Sequence, residues 1–335
     1  MKKYPPGGLV GNLCQCYHVN SLNALGLSSS TGVCGKQAHP RVVYIACGVM
    51  AVFTLETVAT EWQEAVRPGD RWERMEQAQR WNDYYSYLAR QQSKMAYKQD
   101  SKTEHLIRYM LREDILRTSD RVLDIGSGMG GYSLALAKHC EQVTALDANE
   151  DCLSVLKRRA EQAGIKGIRC VPLFWEQLDT ETRHKKYDLC FSAMCPAICN
   201  VQELERMEAL SRRTACLVAV ARGSYEKHRR EMMRLLGIKP SGMTTEALFY
   251  YNVLYMMGRQ PSVKCWAEHF KCPMSAEEIL DRYPRYFKIF GIEESRSVPF
   301  LESYLEANAI DGVLPEECQM NMAMIYWRVP DLENE

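Results

Sequence analysis

The 335-residue chain has no excess of charge of either sign: 42 Lys and Arg face 42 Asp and Glu, for a formal net charge of zero. Binding to nucleic acid through counterion release calls for a basic surplus, so a dedicated nucleic-acid partner is disfavoured and only a local basic patch would serve. Long hydrophobic runs are missing as well. No stretch reaches the ~18 apolar residues that cross a bilayer. The nearest approach, Val42–Leu55, contains Gly48 and Thr54 and reads as a buried strand or helix. No export signal is legible either, because Lys2 and Lys3 lead into Pro5, Pro6 and a polar stretch. The seven histidines form no His-x-x-x-His pair. Cys195-x-x-x-Cys199 lacks the further cysteine of an iron–sulfur motif, which disfavours radical chemistry. There is no internal repeat.

What is present is an ordinary globular composition, 46% apolar and 25% charged, with a mean hydropathy of −0.33. The length allows one large domain or two modest ones. Cysteine is abundant at 14, but scattered, with Cys170, Cys190 and Cys216 inside apolar strand-like runs. Reduced thiols and a cytoplasmic location are the expectation. Cys265-x-x-x-His269-x-x-Cys272 holds three zinc-ligand types without a fourth nearby, so no metal is expected.

Residues 1–41 show neither a helical nor a strand period and contain Cys14 and Cys16, a Pro-Pro-Gly-Gly run and a serine cluster. Residues 1–49 are read as a poorly ordered leader. Residues 50–119 read as a helical extension, with Trp81, Tyr84, Tyr85 and Tyr87 at interleaved positions and a new helix starting at Ser101. From Asp120 the texture alternates. Strands are expected at Arg121–Ile125, Gln142–Leu146, Ile168–Leu173, Tyr187–Ala193, Ala215–Ala221, Val263–Phe270 and Met320–Arg328. Helices are expected at Gly130–His139, Asn149–Ala163, Val201–Arg213 and Ser224–Leu236. That spacing predicts an α/β fold with a parallel sheet covered on both faces.

The informative stretch is Val122-Leu-Asp124-Ile-Gly126-Ser127-Gly128-Met-Gly130. A strand runs into a glycine-rich turn that opens a helix. Glycines adopt backbone angles closed to other residues and let a ligand lie against the main chain. The helix start then offers unpaired N–H groups. Asp147 ends the next strand, where a carboxylate accepts both hydrogen bonds of a ribose diol; capping the helix that starts near Asn149 is its plainer reading. Tyr187–Met194 opens onto the same sheet edge, where open α/β sheets bind ligands.

These residues resemble the core of the Rossmann-like (class I) S-adenosylmethionine-dependent methyltransferases. Val122–Gly130 is similar to the family's first motif, Val143–Asp147 to its second and Tyr187–Met194 to its fourth. The resemblance implies a seven-stranded, mostly parallel sheet with an antiparallel last strand, and S-adenosylmethionine as cofactor. It places the domain at residues 120–330, with a helical insertion around 238–262. It implies cofactor contacts from Asp124, Gly126, Ser127, Gly128, Gly130, Asp147, Ala148 and Ser192, with Asp124 alternatively bracing the turn. Many members place an Asp after the third strand for the adenine amino group. Here Leu173-Phe174-Trp175-Glu176 stands there, so Phe174 and Trp175 are expected to hold adenine by apolar contact. The family also implies a roof over the acceptor from insertions between the fifth and sixth strands, hence Tyr250, Tyr251 and Tyr255; the plainer reading is a core stripe. A helix ahead of the first strand often covers the cofactor, which brings in Tyr85 or Tyr97.

The Asn/Asp-Pro-Pro-aromatic clamp of amino-methylating nucleic-acid enzymes is missing after the fourth strand, where Ser192-Ala-Met-Cys195-Pro196 stands. The Cys195-Pro196 order is the reverse of that in cytosine-carbon methylases. A small-molecule methyl acceptor is therefore expected, with no membrane partner and with a homodimer left open. No residue announces itself as catalytic. The rival readings are a non-catalytic S-adenosylmethionine-binding protein and an NAD-dependent oxidoreductase. The NAD fingerprint sets its third glycine further from the second than Gly130 stands from Gly128, although Gly131 has the formal spacing.

Overall fold

The computed structural model describes residues 42–46, 49–66, 71–93, 101–221, 225–238 and 246–330; the readings of residues 1–41 and of Tyr97 lie outside them. Val42–Ala46 (β1) and Val49–Phe53 (β2) pair as an antiparallel hairpin, Val42 opposite Phe53. This corrects both the leader boundary at residue 49 and the helical reading of residues 50–53. The segments are rich in β-branched and aromatic residues, which suit a strand better than a helix. Three helices follow, Leu55–Val66 (α1), Arg71–Gln92 (α2) and Ser101–Arg112 (α3).

Strands and helices then alternate: Arg121–Ile125 (β3), Gly131–Leu136 (α4), Gln142–Asp147 (β4), Glu150–Gln162 (α5), Ile168–Pro172 (β5), Tyr187–Ala193 (β6), Val201–Leu210 (α6) and Ser211–Val220 (β7). After them come Tyr225–Glu226 (β8), Lys227–Leu235 (α7), Glu246–Met256 (α8), Ser262–Lys271 (β9), Met274–Ser275 (β10), Ala276–Lys288 (α9), Glu294–Asn308 (α10), Val313–Leu314 (β11) and Glu317–Arg328 (β12). The junction of α6 and β7 departs from the expectation. The helix read as far as Arg213 stops at Leu210, and Arg213 lies on β7. Its guanidinium donates to the carbonyls of Asp114 and Ile115 and to the Asp120 carboxylate, long-range bonds that override local helix preference.

The main sheet runs β5-β4-β3-β6-β7-β12, with β9 on the other side of β12 and the short β8 also paired to β12. Neighbours from β5 through β7 are parallel. β12 is antiparallel to both β7 and β9. This is the Rossmann-like, mostly parallel sheet with an antiparallel last strand. The strand order reverses at β3, which has β4 on one side and β6 on the other, so a crevice opens at their carboxyl ends.

Alternate residues along the strands serve opposite layers. Leu123 and Ile125 face a core completed by Trp62 of α1, Leu204 and Met207 of α6, and Val253 and Leu254 of α8. Val122 and Val143 face a second core with Ile107 and Met110 of α3 and Leu136 of α4. Each such fully buried side chain contributes ~1.5–3 kcal/mol by leaving water. A third core joins Tyr84 of α2 to Met232 of α7, Phe287 of α9 and Leu301 of α10. No helix among the described residues is long and apolar enough to cross a membrane.

Candidate active site

The glycine turn leaves β3 at Ile125. The N–H groups of Gly126 and Ser127 donate to the Leu146 carbonyl at 2.8 and 3.0 Å, which ties the turn to the end of β4. Gly126, Gly128 and Gly130 have φ of +72°, +52° and +84°. Their missing side chains meet different needs. A Cβ on Gly126 would collide with Cys195, and one on Gly130 with Leu156 of α5, whereas one on Gly128 would meet nothing within 4 Å. Gly126, expected to bare its backbone to a ligand, instead makes room for Cys195. Of the three, Gly128 alone borders open space. Beside it, the buried Ser127 hydroxyl has no hydrogen-bond partner among the described residues. A buried polar group left in that state fits a ligand atom that would satisfy it. The turn therefore suits a bound cofactor.

Asp147 ends β4 and reaches across to the turn. One carboxylate oxygen accepts the Gly128 N–H at 2.7 Å and the other the Asn149 N–H at 2.8 Å. Burial raises its pKa above the ordinary aspartate value, and these two bonds only partly oppose the rise. Asn149 caps α5 by accepting from Cys152 N–H at 2.8 Å. Its amide nitrogen donates to Asn82 Oδ1 and to Ser86 Oγ, both at 2.9 Å. The glycine turn, β4, α5 and α2 are thereby joined through one carboxylate and one carboxamide. Ala148, between them, is half-buried.

Asp124 lies beneath the turn, 2% exposed. It accepts the Ser133 hydroxyl of α4 at 2.5 Å. Burial pushes its pKa up to about 7, against the Ser133 bond, with the nearby Asp147 charge adding to the rise. This geometry is that of a brace between β3 and α4. Ser192 is buried too, and its hydroxyl donates to the Ile125 carbonyl at 3.0 Å, linking β6 to β3.

After β6 the chain turns sharply at Met194, a non-glycine residue with φ +50°. Such residues are uncommon and cluster at functional sites. The turn lays Cys195 over Gly126. Burial pushes the Cys195 thiol up to about 12, which favours the thiol over the thiolate at neutral pH. Tyr85 of α2, 42% exposed, lies within electrostatic range of Cys195 and Asp147. Desolvation first, then Tyr84, Cys195, Cys152 and Asp147, push its hydroxyl up to about 12, which keeps it a neutral hydrogen-bonding group. The structure thus brings Ser127, Gly128, Asp147, Cys195 and Tyr85 together at the switch point of the sheet. In the sequence Cys195 stands out only through the Cys195-x-x-x-Cys199 spacing and the Cys195-Pro196 order, and no local signal places it over Gly126.

Other expected residues lie elsewhere. Trp175 is 3% exposed, its indole N–H donates to Glu203 and the Arg206 guanidinium sits 4.8 Å over its ring. It is core, which corrects its assignment to adenine. Phe174 beside it is 49% exposed. Tyr250 is also core: its ring meets Trp62 edge-on at 5.0 Å and its hydroxyl donates to the Ile198 carbonyl at 2.5 Å. This corrects its placement in an acceptor pocket, because α8 packs on α1 and the sheet. Tyr251 and Tyr255 stack on each other at 6.4 Å. Cys265 and His269 lie on β9, Cys272 just beyond it, and no group of three or more metal-ligand residues occurs among the described residues.

Residues 122–217 match a family model described as a methyltransferase domain. Over 57 residues the chain is 37% identical to an rRNA adenine N-6-methyltransferase of Limosilactobacillus reuteri, covering 17% of this chain and 23% of that protein. Over 53 residues it is 34% identical to a Methanobrevibacter smithii protein named "Probable cobalt-precorrin-6B C(15)-methyltransferase (decarboxylating)", covering 16% and 28%. The chain thus spans about a quarter of the length of these curated relatives. A solved SAM dependent methyltransferase from Aquifex aeolicus is similar at 12% identity and a TM-score of 0.40, over 67% of this chain and 89% of that one. Over residues 122–217, which include the glycine turn and Asp147, the chain carries a methyltransferase domain.

Proposed function

We propose that the chain transfers the methyl group of S-adenosylmethionine to a small-molecule acceptor. The observation that carries the cofactor half is the open space at Gly128, flanked by the partnerless Ser127 hydroxyl and the Asp147 carboxylate. A small acceptor is supported by the balanced charge and by the absence of a planar-amine clamp after β6. When bound, S-adenosylmethionine supplies a methyl group on a sulfonium, open to in-line displacement. In this reading the glycine turn and Asp147 hold the cofactor, and Phe174 offers an exposed apolar surface at the end of β5. Burial keeps the protons on Tyr85 and Cys195, so they shape the site rather than carry charge. The chain's contribution is alignment of the two reactants, the larger part of what such a displacement requires.

Calorimetry tests the reading. The full chain is expected to bind S-adenosylhomocysteine and not NAD. Asp147→Ala is expected to weaken that binding by about 1.5–3 kcal/mol, the range for hydrogen bonds to a charged group. Binding of NAD in preference, or unchanged affinity in the variant, would overturn it.

A further inference from the structure

β9 lies at the margin of the main sheet. It pairs with β12 from Ser262, opposite Tyr326, to Lys271, opposite Glu317, with no shift of register. Among the described residues its other edge pairs with no strand. The strand is 10 residues long and contains neither proline nor bulge, two devices that keep an edge from recruiting another chain. Apolar side chains reach solvent on both of its faces, Val263 at 43% exposure on one and Phe270 at 41% on the other. Trp266 shares the Phe270 face and packs partly buried against the core of α3. The remaining obstacle to pairing is charge, and the order of the charges decides which strand this edge admits.

Lys264 and Glu268 stand on the Trp266 face, one on either side of it along the strand. Lys264 Nζ lies 5.4 Å over the Tyr109 ring, and among the described residues no carboxylate is within ion-pair distance of it. Glu268 accepts Lys102 Nζ of α3 at 2.6 Å on one oxygen and the Trp266 indole N–H at 3.2 Å on the other. Each carboxylate oxygen has a second lone pair for a further donor. Two copies of one strand, run antiparallel edge to edge, keep opposite side chains on the same face only if the two-fold axis passes through a residue. An axis at Lys264 or Glu268 sets like charges face to face. An axis at Cys265 sets Lys264 against Trp266, and one at Ala267 sets it against Phe270. With the axis at Trp266, Lys264 of each copy faces Glu268 of the other, and the two Trp266 side chains meet.

We infer that β9 pairs with β9 of a second copy of this chain, antiparallel about a two-fold axis at Trp266, so that two sheets join into one. Directly opposite residues of an antiparallel pair have Cα atoms ~4.5–5.5 Å apart, which brings the Lys264 ammonium to the Glu268 carboxylate. Glu268 then lies between Lys102 of its own chain and Lys264 of the second copy. Main-chain hydrogen bonds along Ser262–Phe270 supply the rest of the attraction, as in other strand additions. A two-fold contact repeats every favourable pair, so the single Lys264–Glu268 match counts twice. The plainer role of these side chains is to keep the edge soluble. Lysine alone would serve that role by repelling a second copy, whereas Glu268, at the position that faces Lys264, removes the repulsion. The inference stands apart from methyl transfer and holds whatever the acceptor is.

Sedimentation velocity on the full chain is the test. A dimer with a Kd below about 100 μM is expected. Lys264→Glu and Glu268→Lys each set like charges opposite one another at both symmetric positions, and each is expected to weaken the dimer by about tenfold or more. An equimolar mixture of the two variants is expected to form a heterodimer, and the chain carrying both substitutions to dimerise like the unaltered one. A chain that stays monomeric up to about 200 μM, single variants that dimerise undiminished, or a mixture and a double variant that both stay monomeric would overturn the inference. Should a variant not fold, hydrogen exchange on the unaltered chain decides. Amides of β9 are expected to exchange more slowly at the concentration that gives dimer than at the one that gives monomer. Exchange in β9 that does not change on dimerisation moves the contact elsewhere. Amides of β9 protected in a monomeric chain mean that another segment of the same chain covers the edge, and either result overturns the pairing.

Discussion

At the scale of single residues, the three glycines of the turn look alike in sequence and differ in space. Gly130 stands against Leu156, whereas Gly128 faces open space. Gly130→Ala forces a left-handed alanine into a packed side chain, and a loss of about 2–4 kcal/mol is expected by denaturant titration. Gly128→Ala is expected to cost only the left-handed backbone penalty, about 1–2 kcal/mol. Its methyl would enter the cofactor space, so S-adenosylhomocysteine affinity should drop about tenfold or more in calorimetry. Asp124 adds a pH dependence. Its folded pKa of about 7 lies above the ordinary aspartate value. The folded chain therefore binds more protons than the unfolded one between these limits. This contribution to stability is complete below about pH 4 and is lost as pH rises through about 7, with a slope of at most about 1.4 kcal/mol per pH unit. Asp124→Asn should flatten that part of the stability profile. An unchanged slope would show that Asp124 is not the group responsible.

At the scale of elements, the site depends on how α2 is held against α5. The N-cap role of Asn149 was within reach of the sequence, since α5 was expected to begin there. Its bonds to Asn82 and Ser86 were not, because they join positions more than sixty residues apart. Asn149→Ala removes the cap, worth about 1 kcal/mol, and frees α2 as well. A total loss of about 1–3 kcal/mol is expected, with faster hydrogen exchange over residues 78–92 than in the unaltered chain. If exchange in α2 does not change, the clasp is not what positions Tyr85. The start of β7 illustrates the same limit. Leu204, Met207 and Leu210 give a clear helical period, yet where that helix yields to a strand is settled by Arg213 reaching Asp120.

At the scale of the whole molecule, the segment before the alternating region is part of the fold. Trp62 of α1 is fully buried in the main core against Tyr250 of α8. Trp62→Ala should cost about 3–5 kcal/mol, read as an earlier melting transition. A chain beginning at Met50 would also cut β2 and leave β1 absent, since Met50 pairs with Ile45. One beginning at Thr54 keeps α1 and is expected to melt near the full chain, whereas one beginning at Arg71 is expected to aggregate or melt much earlier. Equal melting of all three would show that α1 adds nothing.

The sequence by itself determined the alternating strands and helices from Arg121 to Val220, the turn at Gly126–Gly130 and Asp147 at a strand end. Those signals are local: a period of two or 3.6 residues, a residue that tolerates positive φ, an acid at the last position of a strand. Only the tertiary structure decided that β12 slots between β7 and β9 and that Cys195 lies over Gly126. It also decided that Tyr85 comes within electrostatic range of Asp147 while Trp175 and Tyr250 retire into the core. Aromatic residues at helical spacing look the same whether they face a neighbour or a ligand. Which they face is settled by partners tens to hundreds of residues away, and by the gain from burying apolar area wherever the packed layers leave room for it.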